Sequence, residues 1–197
     1  MTKNRLAHSL EWVNQSTCFR AAKDAMTRTD MLLKKPLDHW QMPIHTPLGR
    51  MTLLANAQGL CGAWFDQQKH LPDLQHMPWG PSQCWLLQAK QQLSEYFSGK
   101  RTQFDVPLSP LGGSDFQRTV WQALAMIPFG RFASYADIAR HLGQPQSARA
   151  VGTAVGRNPL SIFLPCHRVV ASSGALTGYA GGLDRKVALL QIEGMVL

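Results

Sequence analysis

Four cysteines stand at positions 18, 61, 84 and 166, and none forms a Cys-x-x-Cys pair. That spacing offers neither a zinc ribbon nor a dithiol redox centre, and it fits a reduced intracellular setting. No apolar run is long enough to span a bilayer, and Met1–Gln15 lacks the apolar core of a secretory signal. A cytoplasmic protein with no membrane segment is therefore expected. Internal repeats and low-complexity tracts are absent too. Acidic side chains are scarce, 12 against 20 lysines and arginines, for a net charge of +8. The surplus lies at the two ends. Residues 1–35 carry 7 basic and 3 acidic side chains, residues 36–110 carry 5 of each, and residues 111–197 carry 8 and 4. Seven of those last eight basic residues are arginine, which suits contacts to phosphates and base edges. A solvated basic face has the same balance, so charge alone does not decide for nucleic acid.

What is present divides the 197 residues into one extension and two small domains, each long enough for a core. Residues 1–40 are polar and basic with weak periodicity. A domain over 41–110 opens with Thr46-Pro47-Leu48-Gly49-Arg50 and continues as a hairpin, Met51–Ala55 and Leu60–Phe65 around the turn Asn56–Gly59. Gln67–Pro81 reads as a loop containing proline and histidine. His70 and His76 there are ordinary polar surface, and no metal site is assigned. Ser82 is expected to cap a helix whose apolar face holds Trp85, Leu86, Ala89, Leu93, Tyr96 and Phe97, ending at Gly99. Val106–Gly113 reads as a linker to a second domain over 111–197.

Two features of that second domain carry chemistry. Ser134-Tyr135-Ala136-Asp137 has the pattern of a capping box, followed by an apolar stripe at Ile138, Ala139 and Leu142 and a stop at Gly143. After Gln144-Pro145-Gln146, Ser147 is expected to cap a second helix, Ala148–Val155, which ends before Asn158-Pro159. Two short helices with so tight a turn read as a helix-turn-helix, whose second helix enters a DNA groove. Its small residues permit close approach, and Arg149 is its one long side chain able to probe bases. Standing alone, the segment would equally be an αα-hairpin. The other feature is Pro165-Cys166-His167-Arg168. A histidine beside a thiol can take its proton, and a cation favours the thiolate. On extended backbone the two side chains point to opposite faces, so His167 would reach Cys166 through water. The plain alternative is a buried cysteine at the end of an apolar strand, Ile162-Phe163-Leu164. A reactive thiol within twenty residues of a DNA-reading helix weighs against it.

These motifs resemble those of the O6-alkylguanine-DNA alkyltransferases, also called methylated-DNA–protein-cysteine methyltransferases. The resemblance runs in order through Asp115-Phe116-Gln117, Ile127-Pro128-Phe129-Gly130, Ser134-Tyr135, Ala148–Gly152, Asn158-Pro159, Pro165–Val169, Gly178–Gly182 and Glu193-Gly194. It implies an α+β protein with a small ribonuclease-H-like N-terminal sheet domain and a mainly helical C-terminal domain with a helix-turn-helix. By the same resemblance Cys166 is the alkyl acceptor, His167 relays its proton through water, and Glu193 polarises the imidazole. Tyr135 donates a proton toward N3 of the leaving guanine. Arg149 fills the gap left by the extruded nucleotide, on a helix whose Ala148, Ala150 and Gly152 lie against DNA beside Ser134. Asn158 ties the active-site turn to the preceding helix. Val155, Ser161, Val169, Gly178, Tyr179 and Ala180 line the pocket, with main-chain groups of Cys166, Val169 and Ala180 reading the guanine edge.

The resemblance implies duplex DNA carrying O6-alkylguanine, and also O4-alkylthymine, as the partner, no cofactor, and a monomer. The base must leave the stack before its alkyl group can be reached. The thioether product has no easily displaced partner, so one turnover per molecule is expected. Ser161 and Ala180 depart from members that have proline and serine there, and serine at the first position is typical of bacterial members. Methyl transfer should survive both changes, whereas bulky benzyl-type ligands lose a proline wall. Zinc ligands known in some members cannot be placed, since Asn56 and Cys61 only half match. Two other readings remain open: a non-enzymatic damage sensor, which in such proteins has tryptophan in place of Cys166, and a helix-turn-helix regulator with a sensing cysteine. A cysteine peptidase lacks a partner residue after His167.

Overall fold

A computed structural model of the chain describes residues 39–195. Most of the basic extension, with Cys18, lies outside the described residues. Three antiparallel strands form the first half: β1 (Trp40–Thr46), β2 (Gly49–Ala55) and β3 (Leu60–Phe65), in that order across the sheet. The hairpin of β2 and β3 has the expected bounds at its turn. There the Asn56 side chain accepts from the N–H groups of Gln58 and Gly59 at 2.8 and 3.0 Å. Strand β1 was not anticipated. It alternates buried Met42 and Ile44 with exposed Pro43 and His45, the pattern of an edge strand, and Pro43 is tolerated there because an edge N–H has no ladder partner to lose. Every residue of β3 is buried. One face of the sheet packs on α1 (Cys84–Phe97), through Leu86, Ala89, Leu93 and Tyr96. The other holds Leu54, Cys61 and Trp64 beneath Leu74 of the 67–81 loop.

The start of α1 differs from expectation. Its N-cap is Gln83 rather than Ser82, with the Gln83 side chain accepting from Leu86 N at 2.8 Å and donating to Asn56 O at 3.0 Å. A glutamine reaches both the helix and the hairpin turn, which a serine cannot. The helix ends at Gly99 as read, in the left-handed conformation with φ 72° that a residue lacking Cβ adopts freely. Cys61 is a buried free thiol. The stretch read as a linker is also more than that. Leu60 N donates to Pro107 O, Ser109 N to Leu60 O and Leu111 N to Cys61 O, so 107–111 runs as an added edge along β3.

The second half is mainly helical: α2 (Asp115–Ala125), α3 (Tyr135–His141), α4 (Ala148–Gly156) and α5 (Leu183–Ile192), with a two-residue parallel pair, β4 (Ala133–Ser134) and β5 (Val169–Val170). Ser134 caps α3 in the expected box. Its hydroxyl accepts from Asp137 N at 3.1 Å, and Ser134 N donates to the Asp137 carboxylate at 2.8 Å. Ser147 precedes α4, but its side chain makes no capping bond and faces Gln144 instead. The Pro145–Ser147 turn is a 3-10 helix that hands the chain directly to α4, which leaves Ser147 outside cap geometry. Trp121 of α2 donates through its indole to Ala154 O at 2.9 Å and so buttresses α4. The two halves join where Ala63 N of β3 donates to Pro159 O and Ser161 N returns to Ala63 O, at 2.8 and 2.9 Å. The edge of the sheet thereby holds the turn that leads to Cys166. Among the described residues, no helix is long and apolar enough to cross a membrane.

Candidate active site

Residues 158–168 form a buried turn organised by one asparagine. Asn158 Nδ2 donates to Leu164 O at 2.8 Å and lies 3.0 Å from Cys166 Sγ, while its Oδ1 accepts from Leu160 N at 2.9 Å. This bonding closes the chain on itself. Ile162 takes φ 74°, Leu164 N donates to Leu160 O, and no strand forms over Ile162–Leu164. The apolar-strand expectation therefore fails: the side chains are buried as read, but in a turn. Cys166, His167 and Arg168 follow as a single 3-10 turn, so the opposite-faces argument from extended backbone does not apply. Cys166 is 6% exposed, and burial pushes its thiol up to about 11 against the pull of the Asn158 amide and the Lys186 charge. At rest the sulfur is a thiol that needs a base.

His167 has one nitrogen open to such a task. Its Nε2 lies 2.8 Å from Glu193 Oε1, whereas the buried Nδ1 has no hydrogen-bond partner. Burial lowers the imidazole's proton affinity, so it is neutral at rest. The donors around Glu193 hold its carboxyl down to about 2. With Glu193 an anion, Nε2 must carry the hydrogen, and Nδ1 is left as the free base. Glu193 sits at the C-cap of α5 and accepts four hydrogen bonds besides that of the imidazole. Arg168 Nε meets Oε2 at 2.8 Å and its Nη2 meets Oε1 at 2.9 Å; Tyr96 OH donates to Oε1 at 2.8 Å, and Gly130 N to Oε2 at 3.3 Å. Arg168 is thus spent on Glu193, on Ile127 O and on the face of Phe129, rather than on the thiol. The cation that favours the thiolate is Lys186, fully buried on α5, whose Nζ donates to Val169 O and Thr177 O at 2.5 and 2.8 Å. Its own affinity for a proton falls to about 8 through burial.

Helices α3 and α4 form the helix-turn-helix. Arg149 is exposed near the start of α4, Ala150 is exposed beside it, and Ala148 packs partly on the core. Tyr135, first residue of α3, is half-buried next to Gly152, where an added Cβ would touch its ring at 3.7 Å, and its hydroxyl accepts from Thr177 at 3.4 Å. Ser134 commits its hydroxyl to the cap. Of the pocket candidates, Val155, Val169 and Ser161 are buried and Gly178 is exposed. Ser161 turns its hydroxyl to Gln68 Oε1, 2.9 Å away, and the Tyr179 hydroxyl is buried with no partner. Ala180 gives its carbonyl to Lys69 N at 3.1 Å. No group of three His, Cys, Asp or Glu side chains suited to a metal occurs among the described residues.

Two family models match the chain. The one described as 6-O-methylguanine DNA methyltransferase, DNA binding domain, matches residues 115–195, and that enzyme's ribonuclease-like domain matches residues 43–110. The chain belongs to the 6-O-methylguanine DNA methyltransferase family. A methylated-DNA–protein-cysteine methyltransferase of Mycobacterium tuberculosis is 46% identical over 150 residues, covering 76% of this chain and 89% of that protein. The constitutive one of Bacillus subtilis is 44% identical, covering 75% and 91%. Among solved structures, M. tuberculosis OGT in complex with DNA superposes with a TM-score of 0.72 at 44% identity, over 78% of this chain and 92% of that one. The activity of the methyltransferase family is direct-reversal repair, with a cysteine of the protein taking the alkyl group.

Three residues in contact with this site were not read from the sequence as functional. Tyr96 was read as core, and its ring is core; only its hydroxyl reaches Glu193. Lys186 was counted among the basic residues, and a lysine within α5 gave no sign of burial. Gln68 lay in a stretch read as loop, yet it is 5% exposed and bonded to Ser161. Its neighbour Gln67 has φ 62°, a conformation no sequence pattern there announced.

Proposed function

We propose that Cys166 is the alkyl acceptor and that it reacts once with O6-alkylguanine, and with O4-alkylthymine, extruded from duplex DNA. The observation that carries this reading is the buried turn joining Asn158, Cys166, His167 and Glu193. The sulfur loses its proton through a water to His167 Nδ1, the ring nitrogen without a protein partner. The thiolate attacks the alkyl carbon, the S–C bond forms and the C–O6 bond breaks. Tyr135 offers its phenolic proton to N3 of the departing guanine, so the base leaves neutral, and the proton held by His167 returns to the phenolate by way of solvent. Arg149 occupies the space the base vacated, and the helix of Ala148, Ala150 and Gly152 lies along the groove. Val155, Ser161, Val169, Gly178, Tyr179 and Ala180 surround the base and its alkyl group. On this reading residues 41–110 are a scaffold, 111–197 the reacting half, and the chain works as a monomer in the cytoplasm, at the nucleoid when bound to DNA.

Intact and peptide mass after mixing with duplex DNA carrying O6-methylguanine tests this directly. A gain of one methyl on the Cys166 peptide, never more than one per chain, is expected. Tight lesion binding with no mass change would make the protein a damage sensor. Binding to one operator sequence at a salt concentration that abolishes random-DNA binding would make it a regulator.

A further inference from the structure

We propose that Tyr96, on the helix of the sheet-bearing half, is a positioning residue for the reaction, whose hydroxyl sets how strongly Glu193 draws on the His167 imidazole. The proposal rests on His167 being the base for Cys166. Glu193 Oε1 receives three donors, from Tyr96 at 2.8 Å, His167 at 2.8 Å and Arg168 at 2.9 Å. A carboxylate oxygen has about two lone-pair sites, so these donors share its electron density and each weakens the hold of the others. Arg168 also satisfies Oε2, but Tyr96 has no second partner and competes with His167 for the same oxygen. Burial holds the phenol far above its ordinary titration range, so it remains a donor at every working pH. The ring is set by its own core, 5.5 Å from Phe97, 5.5 Å from Phe104 and 6.2 Å from Phe129, and only the hydroxyl enters the relay. The charged or titratable groups facing His167 are Glu193, Arg168 and Lys186, with Cys166 adjoining it in the chain; those facing Glu193 are His167, Arg168 and Tyr96.

Tyr96→Phe keeps the ring and deletes one donor. Glu193 then pulls harder on Nε2–H, His167 holds an added proton more tightly, and less of it is free to act as a base in mild acid. The expected result is an acid limb of single-turnover methyl transfer displaced to higher pH. The rate falls several-fold on that limb and little on the plateau, and the His167 titration followed by 15N NMR moves the same way. Site-specific replacement of Tyr96 by a fluorotyrosine, a stronger donor, should move both readouts to lower pH, and it keeps the question open to test should the phenylalanine variant fold poorly. Adding Tyr96→Phe to Glu193→Gln should change neither readout further. A His167 titration that ignores both replacements, or an effect that persists undiminished on the Glu193→Gln background, would overturn the proposal. Failure of the wild-type protein to methylate Cys166 would instead sink the reading of the site, and the His167 titration would still report on Tyr96.

Discussion

Glu193→Gln tests the energetics of the site most sharply, because one carboxylate meets Arg168, His167, Tyr96 and Gly130 with a side chain fully hidden from solvent. Its carboxyl is held down from 4.5 to about 2 in the folded chain. At about 1.4 kcal/mol per unit, that depression contributes about 3 kcal/mol to stability at neutral pH. The cost of leaving Arg168 buried without its partner falls in the same range, about 3–5 kcal/mol for breaking a buried pair. The sign follows from the direction of the shift. A group whose folded value lies below its unfolded one stabilises fully above the unfolded value and loses that contribution as pH falls toward the folded one. Denaturant unfolding of wild type and variant should therefore differ by about 3 kcal/mol at pH 7, and by less than half of that near pH 3. In a chain of this size, that corresponds to a midpoint lower by about 10 °C at neutral pH. A gap under about 1 kcal/mol at pH 7, or one that does not narrow in acid, would show that the carboxylate is not held as described.

Other substitutions separate architecture from chemistry. Asn158→Ala orphans the buried Leu160 N–H and Leu164 C=O and removes the amide that lowers the thiol's proton affinity. It should cost about 2–4 kcal/mol in unfolding experiments, and the pH at which alkyl transfer becomes fast should rise. Arg149→Ala removes an exposed side chain, so stability should stay within about 0.5 kcal/mol. Transfer from lesion duplexes should slow while transfer from the free O6-methylguanine base does not, and equal losses on both substrates would remove Arg149 from the DNA step. Ser161→Pro should raise the rate with O6-benzylguanine relative to O6-methylguanine. It also deletes the Ser161 N–H bond to Ala63 O and the hydroxyl bond to Gln68, so thermal stability should drop with it.

The elements with strong local signals were legible in advance. The hairpin turn, the Ser134–Asp137 box and the α4 region are all set by residues within a few positions of one another. Strand β1 was not, because its proline and polar alternation carry weak strand signal, and its pairing with β2 is what makes it a strand. The cap of α1 went to Gln83 because its side chain reaches Asn56, 27 residues away. The site shows the same divide. Cys166, His167 and Asn158 stood in recognisable motifs and share one buried turn, which Glu193 meets from the end of α5. Arg168 adjoined the thiol in the sequence, and its guanidinium pairs with Glu193 instead, an anion at rest where Cys166 is a neutral thiol. Tyr96 and Lys186 act across 97 and 17 residues respectively, separations over which a single sequence carries no pairing signal.

The smallest piece of sheet in the molecule sets a constraint on rebuilding it. Ala133 pairs with Val169 and Ser134 with Val170, so the first turn of α3 is riveted to the backbone just beyond the nucleophile. This rivet helps set where the sulfur lies relative to that helix start, and the 142–147 connection leaves from the other end of α3. A longer 142–147 connection leaves that pairing in place, whereas α4 itself is tied to the sulfur through Asn158 just beyond its end. An insertion beyond Val170 leaves the rivet intact as well, whereas one between Cys166 and Val169 would shift the sulfur against the start of α3.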